Sequence, residues 1–220
     1  MAAQRSQFEI LLNEIKSAII HMGEEVSKSI WQSVQSLQNG DQALAEQVVR
    51  YDLEINKMEE KIDVLGSRLI ATQQPVAKDL RRILIAFKIA ADLERMGDLA
   101  VDVCKVTLRL GSAADTHSLT ELIKMSELAI QMTEESIAAF TGEDIDLAYK
   151  TSALDDAVDD LHSRNLHYIL THITNDPQSI NKAMLLSFVS RYLERIADHA
   201  TNICESVVYL VKGSRPDLNQ

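Results

Sequence analysis

The sequence predicts an all-α protein made of two tandem three-helix bundles, six helices in all, related by a pseudo-twofold axis. Apolar residues recur at three- and four-residue steps along nearly the whole chain, the period of one buried helix face. Glycine and proline are scarce for a chain with many strands, at seven and three of 220 residues. A third observation, an internal repeat, sets the expected domains at residues 1–112 and 113–213, followed by a disordered tail at 214–220.

The internal repeat is clearest in the third helix of each half. Six of the twelve positions from 93 to 104 are identical to those from 193 to 204, where unrelated helices would share about one. The shared residues begin with Leu93-Glu94-Arg95-x-x-Asp98 and Leu193-Glu194-Arg195-x-x-Asp198. Weaker matches at offsets of 110 and 103 cover the earlier helices, so the chain is interpreted as a duplication.

The first three helices follow from their stop signals. Asn39-Gly40 ends the first helix, and Asp41 caps the second. The second helix ends before Gln73-Gln74-Pro75, and proline fits the first turn of a third helix. That helix runs to about Leu110, with Gly111 as its stop.

The second half repeats this plan. A capping box, Ser118-x-x-Glu121, opens the fourth helix. The segment 141–144, Thr-Gly-Glu-Asp, breaks the chain before the fifth helix. Asp176-Pro177 marks the start of the sixth helix, which ends near Gly213.

Charge and composition exclude several classes of protein. The chain carries 33 acidic and 22 basic residues, a formal charge of −11, which opposes binding to a nucleic-acid backbone. Two cysteines inside predicted helices do not form a disulfide framework. No stretch reaches the ~18–20 apolar residues that cross a bilayer, and the N-terminus lacks the apolar core of a signal peptide. We therefore expect a cytoplasmic protein.

Carboxylates occupy the azimuth at which a helix is usually apolar. At 100° per residue, the third helix carries apolar and acidic residues within about 40° of one stripe. Because unpaired buried carboxylates are costly, a cation, an arginine or a hydrogen-bonded cap should compensate them. The stripe consists of Leu80, Leu84, Phe87 and Ala91, then Glu94, Asp98 and Asp102.

Three other helices carry similar stripes. The sixth helix has Glu194, Asp198 and Asn202, the second has Asp52, Asn56, Glu59 and Asp63, and the fifth has Asp155, Asp159 and His162. If these helices face the third and sixth, two oxygen-rich clusters form. Hard or borderline cations such as Fe, Mn, Mg or Ca prefer oxygen ligands, and a histidine nitrogen would suit Fe or Zn. Alternatively, the acids are solvated, or Glu94 and Asp98 pair with Arg95 or Arg195.

Other candidate residues carry less information. Cys104 and Cys204 match in position, yet buried helical cysteines are usually small core residues. His199 is expected at the surface or behind a ligand, and Arg81-Arg82 is expected to be solvated. The chain has no phosphate-cradling glycine loop, and its serines and cysteines lack the spacing of an activated nucleophile, so no catalytic residue or nucleotide site is assigned.

Two blocks of sequence resemble the PhoU family of phosphate-signalling regulators. Residues 74–81 with 93–100 resemble the first half of the family, and 192–203 the second half. The resemblance implies two three-helix bundles and multinuclear iron or zinc clusters held by Glu/Asp-x-x-x-Asp motifs. Carried over to this chain, the implied ligands are Glu94, Asp98, Glu194, Asp198, Asp52, Asp155 and Asp159. The chain departs from the family at Asn56, usually aspartate, which implies a first cluster poorer in metal; Asp102, opposite Asn202 in the repeat, partly restores the charge.

The resemblance also implies a function. Family members are cytoplasmic adaptors between the ATPase subunit of a phosphate ABC transporter and a sensor histidine kinase, and restrain phosphate uptake and starvation signalling. We therefore expect a non-enzymatic metal-binding adaptor that meets the membrane only through partners. A homodimer is also expected, from exposed apolar faces such as that around Trp31. A carboxylate-bridged metalloenzyme, hydrolase or oxidase, and a metal-free helical scaffold remain alternatives, as do Mg, Mn, Ca or no metal.

Overall fold

The computed structural model describes residues 2–111, 116–175, 180–214 and 218, with all side chains in these ranges except those of 2–6, 116–118 and 172–175. These residues form helices and short connections and contain no strand. The helices are α1 Ala2–Asn39, α2 Gln42–Gln73, α3 Ala77–Leu110, α4 Thr116–Gly142, α5 Ile145–Ser152, α6 Asp155–Asn175 and α7 Ile180–Lys212.

The helices pack as two bundles, which confirms the predicted fold class. Helices α1, α2 and α3 contact one another, and α4, α6 and α7 do the same, with α5 lying against α4 and α7. The bundles join through α3 against α7 and α1 against α4, and one hydrophobic core runs through both. Within the described helices, no segment is both long and apolar enough to span a lipid bilayer.

The predicted fifth helix is interrupted, which is a correction to the sequence-based assignment. Ala153 and Leu154 form a turn between α5 and α6, in which the Leu154 amide donates to Thr151 O at 3.0 Å. Alanine and leucine are good helix formers, so local propensity gave no sign of this break. The break makes Asp155 the first residue of α6, where unpaired amides and the helix dipole favour a carboxylate.

Several helix ends lie where the sequence placed them. Asp41 and Asp144 are equivalent caps, and their carboxylates accept from Leu44 N and Leu147 N, each at 3.0 Å. Gly111 ends α3 with φ 63°. The prediction that Pro75 lies in the first turn of α3 is wrong, because α3 begins at Ala77. The Ser118 side chain of the predicted capping box, the Asp176-Pro177 helix start and most of the predicted tail lie outside the described residues.

The acidic stripe of α3 lies beside the core and not within it. Leu84 is 50% exposed and Ala91 is exposed, so the prediction that these two residues of the stripe are buried in the core is wrong. The core face of α3 is formed instead by Ile83, Ala86, Ile89, Ala90, Leu93, Met96 and Ala100, all 0% exposed. The stripe therefore borders the contact between α2 and α3, which leaves its carboxylates half-buried.

Candidate metal centres

Each bundle brings carboxylates together along the contact between two of its helices. We call Asp52, Glu59, Glu94, Asp98 and Asp102 on α2 and α3 the first acidic cluster. We call Asp155, Asp159, Glu194 and Asp198 on α6 and α7 the second acidic cluster. In both clusters, negative charges of one helix raise the pKa values of acids on the other, so the two stripes face each other within Coulombic range.

The second acidic cluster is the more deeply buried of the two. Asp155 and Glu194 are each 9% exposed. Burial, and next the charge of Asp198, raise the pKa of Asp155 to about 7 and that of Glu194 to about 7. The pKa of Asp159 is also raised, first by burial and then by Asp198. At neutral pH, Asp155 and Glu194 therefore lie close to the balance between protonated and charged forms.

Two carboxylate oxygens of this cluster are buried without compensation. Asp155 Oδ1 and Glu194 Oε2 have no hydrogen-bond partner among the described residues. The other oxygen of Glu194, Oε1, accepts from the guanidinium of Arg191. Because an unpaired buried carboxylate oxygen is costly, these atoms need either a proton or a cation.

The first acidic cluster is better compensated by its own helix. Arg95 lies 2.9 Å from Asp98 and 3.4 Å from Glu94, and Lys105 lies 2.8 Å from Asp102. The predicted pairing of Arg95 with both acids is therefore present. Burial still raises the pKa values of Asp52, Glu59 and Glu94. Within the described part of this cluster, Asp52 Oδ1 is the one buried oxygen without a partner.

His162 borders the second acidic cluster with one of its nitrogens already engaged. Its Nδ1 lies 2.8 Å from Ser190 Oγ. Burial, and next the charge of Arg191, lower the pKa of His162, so the ring is neutral at physiological pH. The engaged Nδ1 orients the ring and leaves Nε2 as the nitrogen for a ligand.

The donors fit a hard or borderline cation, although they do not form a closed site. Across the described residues, no group of three or more His, Cys, Asp or Glu side chains already converges around one point. Like-charged carboxylates repel one another. The fit rests on the unpartnered oxygens of Asp52, Asp155 and Glu194, since oxygen ligands are those that iron, manganese, magnesium and calcium accept.

The cysteines are core residues in this structure. Cys104 and Cys204 are fully buried. Burial raises the pKa of each thiol to about 12. They are therefore protonated at physiological pH, whereas a thiolate is the form that binds metal.

Sequence reasoning missed a polar contact between the two bundles. Asp92 Oδ1 lies 3.0 Å from His199 Nδ1, where α3 crosses α7. The repeat gave no signal, because Tyr192 and Leu99 occupy the equivalent positions. His199 thus joins the bundles and is mostly buried.

The basic residues at the start of α3 also join the two bundles. Arg81 was expected to be solvated, but it donates to Tyr209 O and Leu210 O at 3.4 and 3.3 Å. Its guanidinium thereby satisfies terminal carbonyls of α7, a position that favours a cation. Arg82 and Lys78 each approach Glu143 at 2.7 Å.

Comparisons with known proteins agree on one family. The PhoU domain profile matches residues 19–107 and 122–207, one match in each half. A phosphate-specific transport system accessory protein PhoU homolog from Clostridium acetobutylicum is 38% identical over 216 residues, which cover 98% of this chain and 99% of that protein. The accessory protein PhoU of Escherichia coli K12 is 33% identical, with 94% and 86% covered.

Solved structures show the same similarity. The crystal structure of PhoU from Pseudomonas aeruginosa superposes with a TM-score of 0.89 at 35% identity and covers 94% of this chain and 100% of that one. The phosphate transport system regulatory protein PhoU from Streptococcus pneumoniae gives a TM-score of 0.87 at 27% identity, with 96% and 99% covered.

Proposed function

Because the chain belongs to the PhoU family, we propose that it is a regulatory accessory protein of phosphate transport. The nearly full-length similarity to proteins named phosphate-specific transport system accessory proteins supports this role. In the finer form of the proposal, the chain is a cytoplasmic adaptor that contacts the ATPase subunit of a phosphate ABC transporter and a sensor histidine kinase. It restrains uptake and starvation signalling when phosphate is plentiful, without catalytic turnover.

The adaptor is proposed to bind metal at the two acidic clusters. The observation that carries this step is the pair of buried, unpartnered oxygens on Asp155 and Glu194. With Asp159 and Asp198, these residues would hold one group of ions, iron or zinc, and His162 would add a nitrogen ligand. The second group would be held by Asp52, Glu59, Glu94, Asp98 and Asp102. Bound cations supply positive charge at each helix contact.

Metal binding at the clusters would change the spacing of the paired helices and thereby the shape of the surface that they form. Asp155 lies on α6, and Glu194 and Asp198 lie on α7, so charge repulsion between these acids pushes the two helices apart. Neutralisation removes that repulsion and favours a closed contact between them. We propose that partner proteins recognise helix faces whose spacing depends on this contact.

Metal binding is tested by elemental analysis and calorimetry on the purified, chelator-treated chain refilled with iron or zinc. Substitution of the two most buried acids, Asp155→Asn with Glu194→Gln, is expected to remove the metal of the second cluster. Asp156→Asn with Asp160→Asn is the matched control, because these neighbouring acids are exposed. Equal metal content in the two double variants would contradict the assignment.

The adaptor role is tested by affinity purification from phosphate-replete cells that express a tagged chain. The transporter ATPase or the kinase should co-purify, and less of it after chelation or with the Asp155→Asn/Glu194→Gln variant. Recovery of neither protein would contradict the adaptor role.

Phosphomonoester or oxygen turnover that is lost in Glu94→Ala would favour the enzyme alternative. A homodimer, also proposed, is tested by sedimentation of wild type and Trp31→Glu, since Trp31 is 54% exposed on α1.

A further inference from the structure

Behind His162, two buried side chains form a chain of contacts that crosses the second bundle. His162 Nδ1 lies 2.8 Å from Ser190 Oγ, and the Ser190 hydroxyl donates to the thioether sulfur of Met125 at 3.5 Å. Ser190 and Met125 are both 0% exposed, so solvent water does not compete for these contacts. The three residues lie on α6, α7 and α4, and they connect the three long helices of this bundle at one level.

The chemistry of these groups determines where their hydrogens lie when His162 binds a cation. A thioether sulfur carries no hydrogen and can only accept. Serine has one hydroxyl hydrogen, and when it points to Met125, Ser190 Oγ can accept from Nδ1–H. An imidazole that carries its hydrogen on Nδ1 has its free lone pair on Nε2, ready for a metal. The chain of contacts therefore satisfies every polar hydrogen of this metal-binding form of His162.

His162 also lies beside the acids of the second acidic cluster. It follows Asp159 by three residues on α6, so the two side chains are neighbours on one helix face. Besides burial, the charge of Arg191 influences the pKa values of His162, Asp159 and Glu194. The ring and both carboxylates thus surround the same guanidinium, which makes the imidazole a nitrogen donor at the edge of the cluster.

The first bundle lacks all three residues of this chain of contacts. With offsets of 110, 103 and 100, the equivalents of Met125, His162 and Ser190 are Ile15, Glu59 and Ala90. Ile15 and Ala90 are also 0% exposed, so the same buried positions are apolar where the cluster residue is a glutamate. A metal-bound imidazole needs an acceptor for its second nitrogen, whereas a carboxylate has no such hydrogen. The three differences between the halves therefore fit one purpose.

We propose that Ser190 and Met125 are positioning residues that hold His162 as a nitrogen donor, so that the second acidic cluster selects zinc or iron. This inference rests on the proposed metal-binding role and deepens it, because it gives the two clusters different selectivities. The members of the first acidic cluster offer only oxygen, which manganese, magnesium and calcium accept readily. The second cluster adds one imidazole nitrogen, which favours zinc and iron over those ions.

Metal competition on the full chain tests this selectivity. Metal-free protein is equilibrated with zinc, with manganese and with both, in an Asp52→Asn/Glu94→Gln background that weakens the first cluster. Ser190→Ala should weaken zinc binding by about tenfold or more and manganese binding by less than about twofold. Ser187→Ala is the matched control, because its hydroxyl donates to Met184 O of its own helix at 2.8 Å; it should change neither.

Two further variants separate positioning from packing. His162→Glu, which copies the first bundle, should lose the preference for zinc and keep manganese binding. Met125→Ile should weaken zinc binding less than Ser190→Ala does, since it removes only the acceptor of the hydroxyl hydrogen. Circular dichroism verifies that all variants fold.

Nitrogen-15 NMR of the zinc-loaded protein reads the position of the hydrogen directly. The signals of His162 are those that His162→Glu removes. They should show zinc on Nε2 and hydrogen on Nδ1 in the wild type, and Ser190→Ala should reduce the zinc-bound signal.

An equal loss of zinc and manganese in Ser190→Ala would overturn the inference, since it would indicate a packing effect. His162 signals that do not respond to zinc would also overturn it, as would a zinc preference that Ser190→Ala and His162→Glu both leave unchanged. In these cases metal still binds, so the proposed metal-binding role would stand. A wild-type chain that binds neither metal would contradict that role and the inference with it.

Discussion

The first and second acidic clusters descend from one repeat, yet they differ in how their charge is compensated. In the first cluster, Arg95 and Lys105 pair with carboxylates of the same helix. In the second, Asp155 and Glu194 each leave a buried oxygen unpartnered. The repeat kept the acids and also Arg95, whose equivalent is Arg195, whereas Lys105, outside the motif, corresponds to Glu205. The compensation of the acids therefore depends on residues around the motif as well as on the motif itself.

The break between α5 and α6 explains part of this difference. Asp52 lies in the middle of the continuous helix α2, while its equivalent, Asp155, begins α6 after the turn at residues 153–154. In this structure, Asp155 is buried and Asp52 is half-buried. One local change in chain path thus gives two copies of the same motif different electrostatic environments.

The largest expected effect is on metal affinity. Asp155→Asn with Glu194→Gln should weaken binding at the second cluster by about a hundredfold or more, since it removes the most buried donors. The equivalent change in the first bundle, Asp52→Asn with Glu94→Gln, should weaken total binding less. Calorimetry with zinc on both variants makes the comparison. Equal losses would show that the two clusters are equivalent.

A larger side chain at Gly66 should disturb the packing of Phe87 over the contact between α2 and α3. A methyl group on Gly66 would lie 2.2 Å from the Phe87 ring. Gly66→Ala should therefore lower the free energy of unfolding by about 1–2 kcal/mol, in spite of the better helix propensity of alanine. Urea unfolding measures it. Restoration by the added change Phe87→Leu is the control; no effect of either change would disprove the contact.

The pH dependence of the metal-free protein should distinguish the clusters. The folded-state pKa values of Asp155 and Glu194, about 7, lie above the ordinary values of 3.8 and 4.5 for these side chains. Folding then favours the protonated acids, so their contribution is fully present below about pH 4. It is lost as the pH rises through 7.

Thermal melting from pH 5 to pH 8 measures this loss as a falling melting temperature. The decline should be smaller in Glu194→Gln, which cannot ionise, and unchanged in Asp156→Asn, whose exposed acid is the control. A melting temperature that rises over this range in wild type but not in Glu194→Gln would contradict the buried state of Glu194.

The smallest expected effect concerns the compensating arginine of the first cluster. Arg95→Gln removes an exposed ion pair, so we expect a stability loss of at most about 1 kcal/mol. It also removes a charge that competes with metal, and zinc affinity at the first cluster should rise a fewfold. Arg68→Gln, an exposed residue on the same bundle, is the control. Lower zinc affinity in Arg95→Gln would show that this arginine supports the cation.

The helical period and the repeat predicted the fold because both depend on local sequence. They placed the cap at Asp41, the chain break at residues 141–144 and the stop at Gly111. They did not predict the turn at residues 153–154, whose alanine and leucine favour a helix. Contacts between the bundles, such as Asp92 with His199 and Arg81 with the end of α7, depend on tertiary packing and left no periodic signal.

The candidate metal residues could be listed from the sequence because their azimuth is unusual. Their burial could not, since the same spacing gives a half-buried Asp52 and a buried Asp155. Likewise, the predicted core stripe included Leu84 and Ala91, which the structure exposes, because a helix wheel cannot tell the centre of a core from its border.

Anomalous diffraction from crystals of the zinc- or iron-loaded protein tests the central claim most directly. The account predicts a strong anomalous peak beside Asp155 Oδ1 and Glu194 Oε2, and a weaker or absent peak at Asp52 and Glu94. Metal-loaded crystals with no peak at the second cluster, or with their strongest peak at the first, would contradict it.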